Sequence, residues 1–328
     1  MRVLVALGGN AMTAADGSVS AEDQRQAISR ACVPLAELVE AGHEVVITHG
    51  NGPQVGNILR KNELAAGELP PVSLDWCGAQ TQGTLGFTIV NQLEKELHRR
   101  GLERRGLGRR VVALVTRTRV DPADPAFANP VKPIGQYRDA EYAQSMSTHG
   151  QHWRDVGAKG WRRVVPSPAP VEVLETETIT HLVDQGWLVV AAGGGGIPVI
   201  ADDGGVRGVE AVIDKDLTAA RLARSVGAEV LVIATDVDHA VVGYGTADER
   251  PIERIDPEAL QTLVEEGHFA SGSMGPKVQA ILQFVVEGGT RGVITSLHRL
   301  AEGVAGDVGT VVSAAAAGTS SGQEGGVR

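Results

Sequence analysis

Six short aliphatic runs limit what this chain can fold into: residues 3–7, 44–48, 111–116, 188–192, 230–234 and 293–296. Each is rich in Val, Ile and Leu, and none alternates apolar with polar residues. Strands wetted on one face alternate, whereas strands covered on both faces do not. Between the runs the apolar period becomes that of a helix. Ile28, Ala31, Leu35, Leu38 and Val39 recur at helical spacing before a stop at Gly42, and Val278, Ile281, Leu282 and Val285 do so before Gly288-Gly289. Strand, helix, strand in this rhythm predicts an α/β fold: an open, mainly parallel sheet with helices on both faces.

Composition narrows the function. Aromatic residues are only 3% of the 328, which argues against a stacking platform for bases. The net charge of −10 argues against a general nucleic-acid surface, so anionic substrates must be drawn by local cations. Cys32 and Cys77 are the two cysteines, and their separation reads as reduced thiols, not as a disulfide framework or a zinc site. The first apolar run is too short for a signal peptide. The run around 187–201 is broken by the glycines 193–196 and by Pro198, so no membrane span is expected. The expectation is a soluble cytoplasmic protein with no nucleic-acid or membrane partner.

Residues 117–170 break the rhythm. The segment holds Pro122, Pro125, Pro130, Pro133, Pro166, Pro168 and Pro170, with Trp153 and Trp161, and shows no clear period over most of its length. An excursion this long is either a lid formed by a small inserted subdomain or a surface loop without a role. Residues 313–328 turn to Ala, Gly and Ser and read as a disordered tail.

Glycine turns follow several of the predicted strands: Gly8-Gly9-Asn10, Gly50-Asn51-Gly52 and the glycines 193–196. Glycine lets backbone approach a ligand closely, and amides at a strand-to-helix turn favour an anion. One such turn is ordinary, but turns at several strand ends point to a site, because ligands of open α/β sheets sit there. The familiar phosphate cradles are missing. No G-x-x-x-x-G-K-S/T occurs, and neither Gly56 nor Pro198 completes a dinucleotide fingerprint. Lys215 and Lys277 each begin a helical pattern, the first capped by Asp214 and the second entered at Ser273 or Pro276. A cation in a first turn opposes the helix dipole, so two such placements suggest a shared anion; two solvated surface lysines are the competing reading.

The motifs, taken in order, resemble the carbamate kinases of the amino acid kinase family. They are Val5-Ala6-Leu7-Gly8-Gly9-Asn10-Ala11, Thr48-His49-Gly50-Asn51-Gly52-Pro53-Gln54-Val55-Gly56, Asn129-Pro130-Val131-Lys132-Pro133-Ile134-Gly135, Gly208-Val209-Glu210-Ala211-Val212-Ile213-Asp214-Lys215-Asp216-Leu217, Thr235-Asp236-Val237-Asp238 and Gly272-Ser273-Met274-Gly275-Pro276-Lys277. The resemblance covers residues 1–312 and implies an αβα sandwich, a carbamate-binding part to about residue 200, a nucleotide-binding part over about 201–312, and a protruding lid over 117–170. It implies that ATP and carbamate exchange with ADP and carbamoyl phosphate, in arginine or related catabolism. By the same resemblance Gly8, Gly9, Asn10, Gly50, Asn51 and Gly52 line the carbamate and the moving phosphoryl group. Lys215 and Lys277 neutralise its charge, Asp216 orients them, and Lys132 reaches in from the subdomain. Asp236, Tyr244, Met274 and Gly275 border the nucleotide. Mg²⁺ rides on the nucleotide phosphates with no protein metal site, and the assembly is a homodimer.

Some positions depart from the family pattern: Val131, His239, Ser271 and the stretch Thr81-Gln82-Gly83-Thr84-Leu85-Gly86-Phe87. None removes a charge from the implied mechanism. A kinase for another small carboxylate and a non-catalytic nucleotide sensor are the alternatives. His149 and His152 could share a metal on one helix but read better as a surface pair. Glu94, Glu96, His98, Arg99 and Arg100 read as a solvated helix face. Asp202-Asp203-Gly204-Gly205 reads as a turn.

Overall fold

The computed structural model describes residues 1–12, 20–106, 108, 110–269 and 273–314. The chain opens with β1 (Arg2–Leu7), α1 (Ala21–Glu40), β2 (Glu44–His49), α2 (Gly52–Ala65), α3 (Leu74–Arg99) and β3 (Val111–Ala113). It continues with β4 (Arg117–Val120), β5 (Lys132–Arg138), α4 (Ala140–Ser147), β6 (His152–Asp155), β7 (Trp161–Val165), β8 (Pro170–Val173), α5 (Thr176–Asp184) and β9 (Leu188–Val190). Then come β10 (Ile197–Asp202), β11 (Gly205–Gly208), α6 (Lys215–Ser225), β12 (Val230–Thr235), β13 (Val241–Val242), β14 (Arg250–Pro251) and β15 (Arg254–Ile255). The last elements are α7 (Pro257–Glu265), α8 (Met274–Val286), β16 (Arg291–Ser296), α9 (Leu300–Ala305) and β17 (Thr310–Val312).

The main sheet has eight strands in the order β15-β17-β16-β12-β1-β2-β9-β3, and every pairing is parallel except β16 with β17. All six aliphatic runs lie in it as neighbours. Alternate residues of β1 feed two separate cores, which is why the run shows no polar alternation. Leu4 and Ala6 pack with residues of α5, α6 and α8 on one face, while Val3, Val5 and Leu7 pack with α1, α3 and α9 on the other. Because β12 pairs directly with β1, the same sheet runs unbroken through both expected parts of the chain.

Segment 117–170 is more structured than its composition suggests. Its ends, β4 and β8, join β10 and β11 in a four-stranded sheet beside the main one. Its middle forms a three-stranded antiparallel sheet, β5-β7-β6, with α4. Ile134 and Val165 of this subdomain pack on Val55 and Leu59 of α2 and on Leu74 and Cys77 of α3, and Arg138 pairs with Glu63 of α2.

One expectation holds and one needs correction. His149 follows α4 in a turn and His152 opens β6, so the two share no helix, and both are exposed, as a surface pair would be. The Glu94–Arg100 stretch, 94–100, is not simply a solvated face. Glu96 is buried and binds Arg99 and Arg100, and Arg100 also reaches Glu37 and Glu40, clamping α3 to α1. The hydrogen bond from Arg99 leads in holding the Glu96 carboxyl down at about 2. The Asp203-Gly204 turn does join β10 to β11, with Gly204 at φ +77°. Both cysteines are free and buried. No described helix is long and apolar enough to cross a membrane. Of the expected tail only Ser313 and Ala314 are described, and Ser271 and Gly272 lie outside the described residues.

Candidate active site

The carboxyl ends of β9, β2, β1 and β12 come out side by side at one edge of the sheet. Gly8 N–H donates to Ala234 O and Gly50 N–H to Leu7 O, each at 3.0 Å, so the turns after β1, β2 and β12 touch. The 193–196 turn leaves β9 and folds back over the turn after β2. Gly194 shows why it must be glycine. Its φ is +67°, and a Cβ there would stand 2.1 Å from Asn51 Nδ2. Thr218 of α6 fixes the same turn from the other side through a 3.0 Å bond to Gly195 O.

Asn51 caps α2 by position, but its side chain makes no bond to that helix and donates instead to Thr81 Oγ1 at 2.9 Å. The first turn of α2 is therefore not closed by its own cap, and its N–H groups stay available to an anion. His49 lies beneath, 1% exposed, with Nδ1 2.9 Å from Gly50 O. Burial, aided by the charge of Lys215, pushes its ring down to about 4, so it is neutral near pH 7.

The charged half comes from two helix starts. Asp214 caps α6 by accepting from Asp216 N–H at 2.9 Å. This throws Lys215 and Asp216 into the first turn. Asp216 Oδ2 accepts from Lys277 Nζ of α8 at 3.0 Å, and Oδ1 lies 2.7 Å from Lys215 Nζ. Asp216 is 4% exposed. Burial alone would raise its carboxyl, but the two ammonium groups outweigh that and hold it below the ordinary carboxylate range. The Lys215 ammonium is buried and has no aligned hydrogen-bond partner among the described residues. From the subdomain, Lys132 Nζ donates to Asp214 Oδ2 at 2.8 Å, across 82 residues of sequence.

The structure thus brings Lys132, Lys215, Asp216 and Lys277 into one cluster, with Gly8, Gly9, Gly50, Asn51 and Gly52 at the strand ends. Asn10 lies in the short helical turn Gly9–Met12. Asp236 is exposed directly after β12, and Met274 and Gly275 open α8. Tyr244 stands apart in the β13–β14 turn and is 74% exposed. Sequence reasoning assigned Asp214 only a capping role and missed Thr81, Gln82 and His49 as supports. Gln82 ties Thr116 to Gly193 through 3.0 Å bonds to both carbonyls. Both ammonium groups face one carboxylate of the chain itself, so the two are not solvated surface lysines.

A parallel sheet with glycine turns and converging lysines at its strand ends defines a phosphate-handling α/β enzyme. The chain belongs to the amino acid kinase family, whose profile matches residues 1–296. Within that family it stands with the carbamate kinases. It is 44% identical over 316 residues to a carbamate kinase of Pyrococcus furiosus, covering 95% of this chain and 98% of that one. It is 41% identical over 316 residues to carbamate kinase 1 of Enterococcus faecium, covering 95% and 99%. The solved carbamate kinase of Giardia lamblia bound to AMP-PNP superposes with a TM-score of 0.88 at 38% identity, covering 95% and 98%.

Proposed function

We propose that this site is a carbamate kinase centre that passes a phosphoryl group between ATP and carbamate. A carboxylate oxygen of carbamate attacks the γ-phosphorus as the bond to the β–γ bridging oxygen breaks. The electron pair leaves with ADP, carbamoyl phosphate forms, and no proton need move. The observation that carries this reading is Asp216 gripping Lys215 and Lys277, with the Lys215 ammonium buried beside it. Phosphoryl transfer needs alignment and charge neutralisation more than covalent help, and preorganised ammonium groups supply both.

Gly8, Gly9, Asn10, Gly50, Asn51 and Gly52 would line the carbamate and the phosphoryl oxygens, with the Gly8 and Gly50 N–H groups already spent on holding the turns together. Lys132 would close on the acyl side as the subdomain acts as a lid over 117–170. Asp236, Tyr244, Met274 and Gly275 would border the nucleotide, consistent with a nucleotide-binding part over about 201–312. Mg²⁺ would supply further charge neutralisation at the phosphates. It fits best as a metal carried by the nucleotide, because Asp216 is already engaged by two cations and no metal-holding group of three His, Cys, Asp or Glu occurs among the described residues. A homodimer is supported by the exposed Trp76 and Phe87 on α3, 63% and 65% accessible. We infer a cytoplasmic place at the end of arginine or related breakdown, a reading that the likeness to carbamate kinases supports.

ATP formation from ADP, coupled to a reporter enzyme, tests the reading. Carbamoyl phosphate should be used far better than other acyl phosphates, and EDTA should abolish turnover until Mg²⁺ is restored. Preference for a different acyl phosphate would replace carbamate with that acid.

A further inference from the structure

Every group just assigned to the anion is a donor: three ammonium ions and a set of backbone N–H groups. They suit oxygen anions of any kind. Carbamate differs from acetate in its amino group, whose hydrogens need acceptors and whose lone pair is tied up in resonance. Something in the site must accept from it if the two acids are to be told apart.

Gln54 is the third residue of α2 and only 7% exposed. Its Nε2 and Oε1 are both buried and both lack a partner among the described residues. Buried amides in native proteins are nearly always paired, because an orphaned one costs a full desolvation penalty. The spacing Asn51-x-x-Gln54 is that of a capping box, in which each side chain would bond the other's backbone N–H. Here the box is not made: Asn51 turns to Thr81, and Gln54 has no hydrogen-bond partner among the described residues. Gln54 and Thr81 share the wall of a cavity of about 470 Å³ that also meets Asn57 and Lys61. Gln54 therefore lies two residues beyond Gly52 in the first turn of α2, and Thr81, which holds Asn51, lines the same cavity.

We propose that Gln54 is a specificity residue whose Oε1 accepts an N–H of carbamate or carbamoyl phosphate. The proposal rests on the carbamate reading above. It explains why an amide is kept unpaired at this position when a capping box was available.

The test compares kcat/KM for carbamoyl phosphate with that for acetyl phosphate, which has no N–H, in the full chain with Mg²⁺ and ADP. In Gln54→Met the ratio should fall at least about tenfold, the scale of one lost hydrogen bond in a site built for it. KM for ADP should not move. Gln54→Glu keeps an acceptor; its charge weakens both acyl phosphates alike, so the ratio should be retained. The melting temperature of Gln54→Met should equal or exceed the wild type, since an unpaired amide is removed. An unmoved ratio in Gln54→Met, or a lower melting temperature with equal loss for both substrates, overturns the role of Gln54 alone. Wild-type protein that makes no ATP from carbamoyl phosphate overturns the functional reading itself, and this proposal with it.

Discussion

The two sides of the site are built from opposite materials. The side formed by the turns after β1, β2 and β9 is backbone: glycines and N–H groups, packed so closely at Gly193, Gly194, Gly195 and Gly196 that a single carbon has no room. The side formed by the starts of α6 and α8 is side chain: lysines on a buried carboxylate, with little steric demand. The first side is defined by what it excludes, the second by what it carries. A substitution on the first should damage the fold by steric clash, and one on the second should damage the chemistry far more than the fold.

Replacing Lys215 or Lys277 by Ala should produce the largest effect. Turnover should fall about a hundredfold or more, as for removal of a preorganised charge, in a protein that still folds but melts lower because buried Asp216 loses one of its two cations. Steady-state kinetics beside calorimetry checks this; normal turnover in folded Lys215→Ala would falsify the charged side. Gly194→Ala reverses the pattern. Its Cβ meets Asn51 Nδ2 at 2.1 Å with φ at +67°, so the fold should lose about 2 kcal/mol, read from urea unfolding. A Gly194→Ala protein as stable as wild type would erase the contrast.

Lys132 belongs to neither side, because it arrives on the subdomain. Lys132→Ala should raise KM for carbamoyl phosphate about tenfold, as for one charged hydrogen bond, while ADP affinity stays constant. Hydrogen exchange over 117–170 should slow with both substrates bound. Unchanged exchange would make the segment a fixed wall and not a lid.

The smallest effect lies far from the site. The Glu96 carboxyl is held at about 2, below its ordinary value of 4.5, first by the Arg99 hydrogen bond. A depressed carboxylate stabilises fully above its unfolded value and loses that contribution as pH falls from about 5 towards 2. Glu96→Gln should cost about 1–2 kcal/mol at pH 7 and much less near pH 2, measured by denaturant titration. His49, pushed down to about 4, adds to acid sensitivity from below about 6.5, where the unfolded chain takes a proton that the folded chain refuses.

The doubly covered strands were legible because burial on both faces writes itself as unbroken Val, Ile and Leu. β15 and β17 were not, being two and three residues long. The subdomain strands were hidden by their own charges: His152–Asp155 and Trp161–Val165 carry Arg154, Arg162 and Arg163 on a sheet covered mainly from one side. α3 was obscured by Gly78, Gly83 and Gly86, yet it runs for 26 residues. Gly86 is there because a Cβ would come within 2.7 Å of Ala113, so helix and strand touch. In the site, the lysines and glycines could be picked out by motif, but the bond from Lys132 to Asp214 could not. Nothing local encodes a partner 82 residues away.

The shared carboxylate also bears on which way the reaction runs. Asp216 is ionised, its two lysines supply fixed positive charge, and His49 has no proton to give near neutral pH. Such a site has no acid waiting to be spent and no base waiting to be refilled. It presents the same face to ATP with carbamate as to ADP with carbamoyl phosphate. An enzyme wired this way is a valve without a preferred side, and the relative concentrations of the four molecules decide the flow.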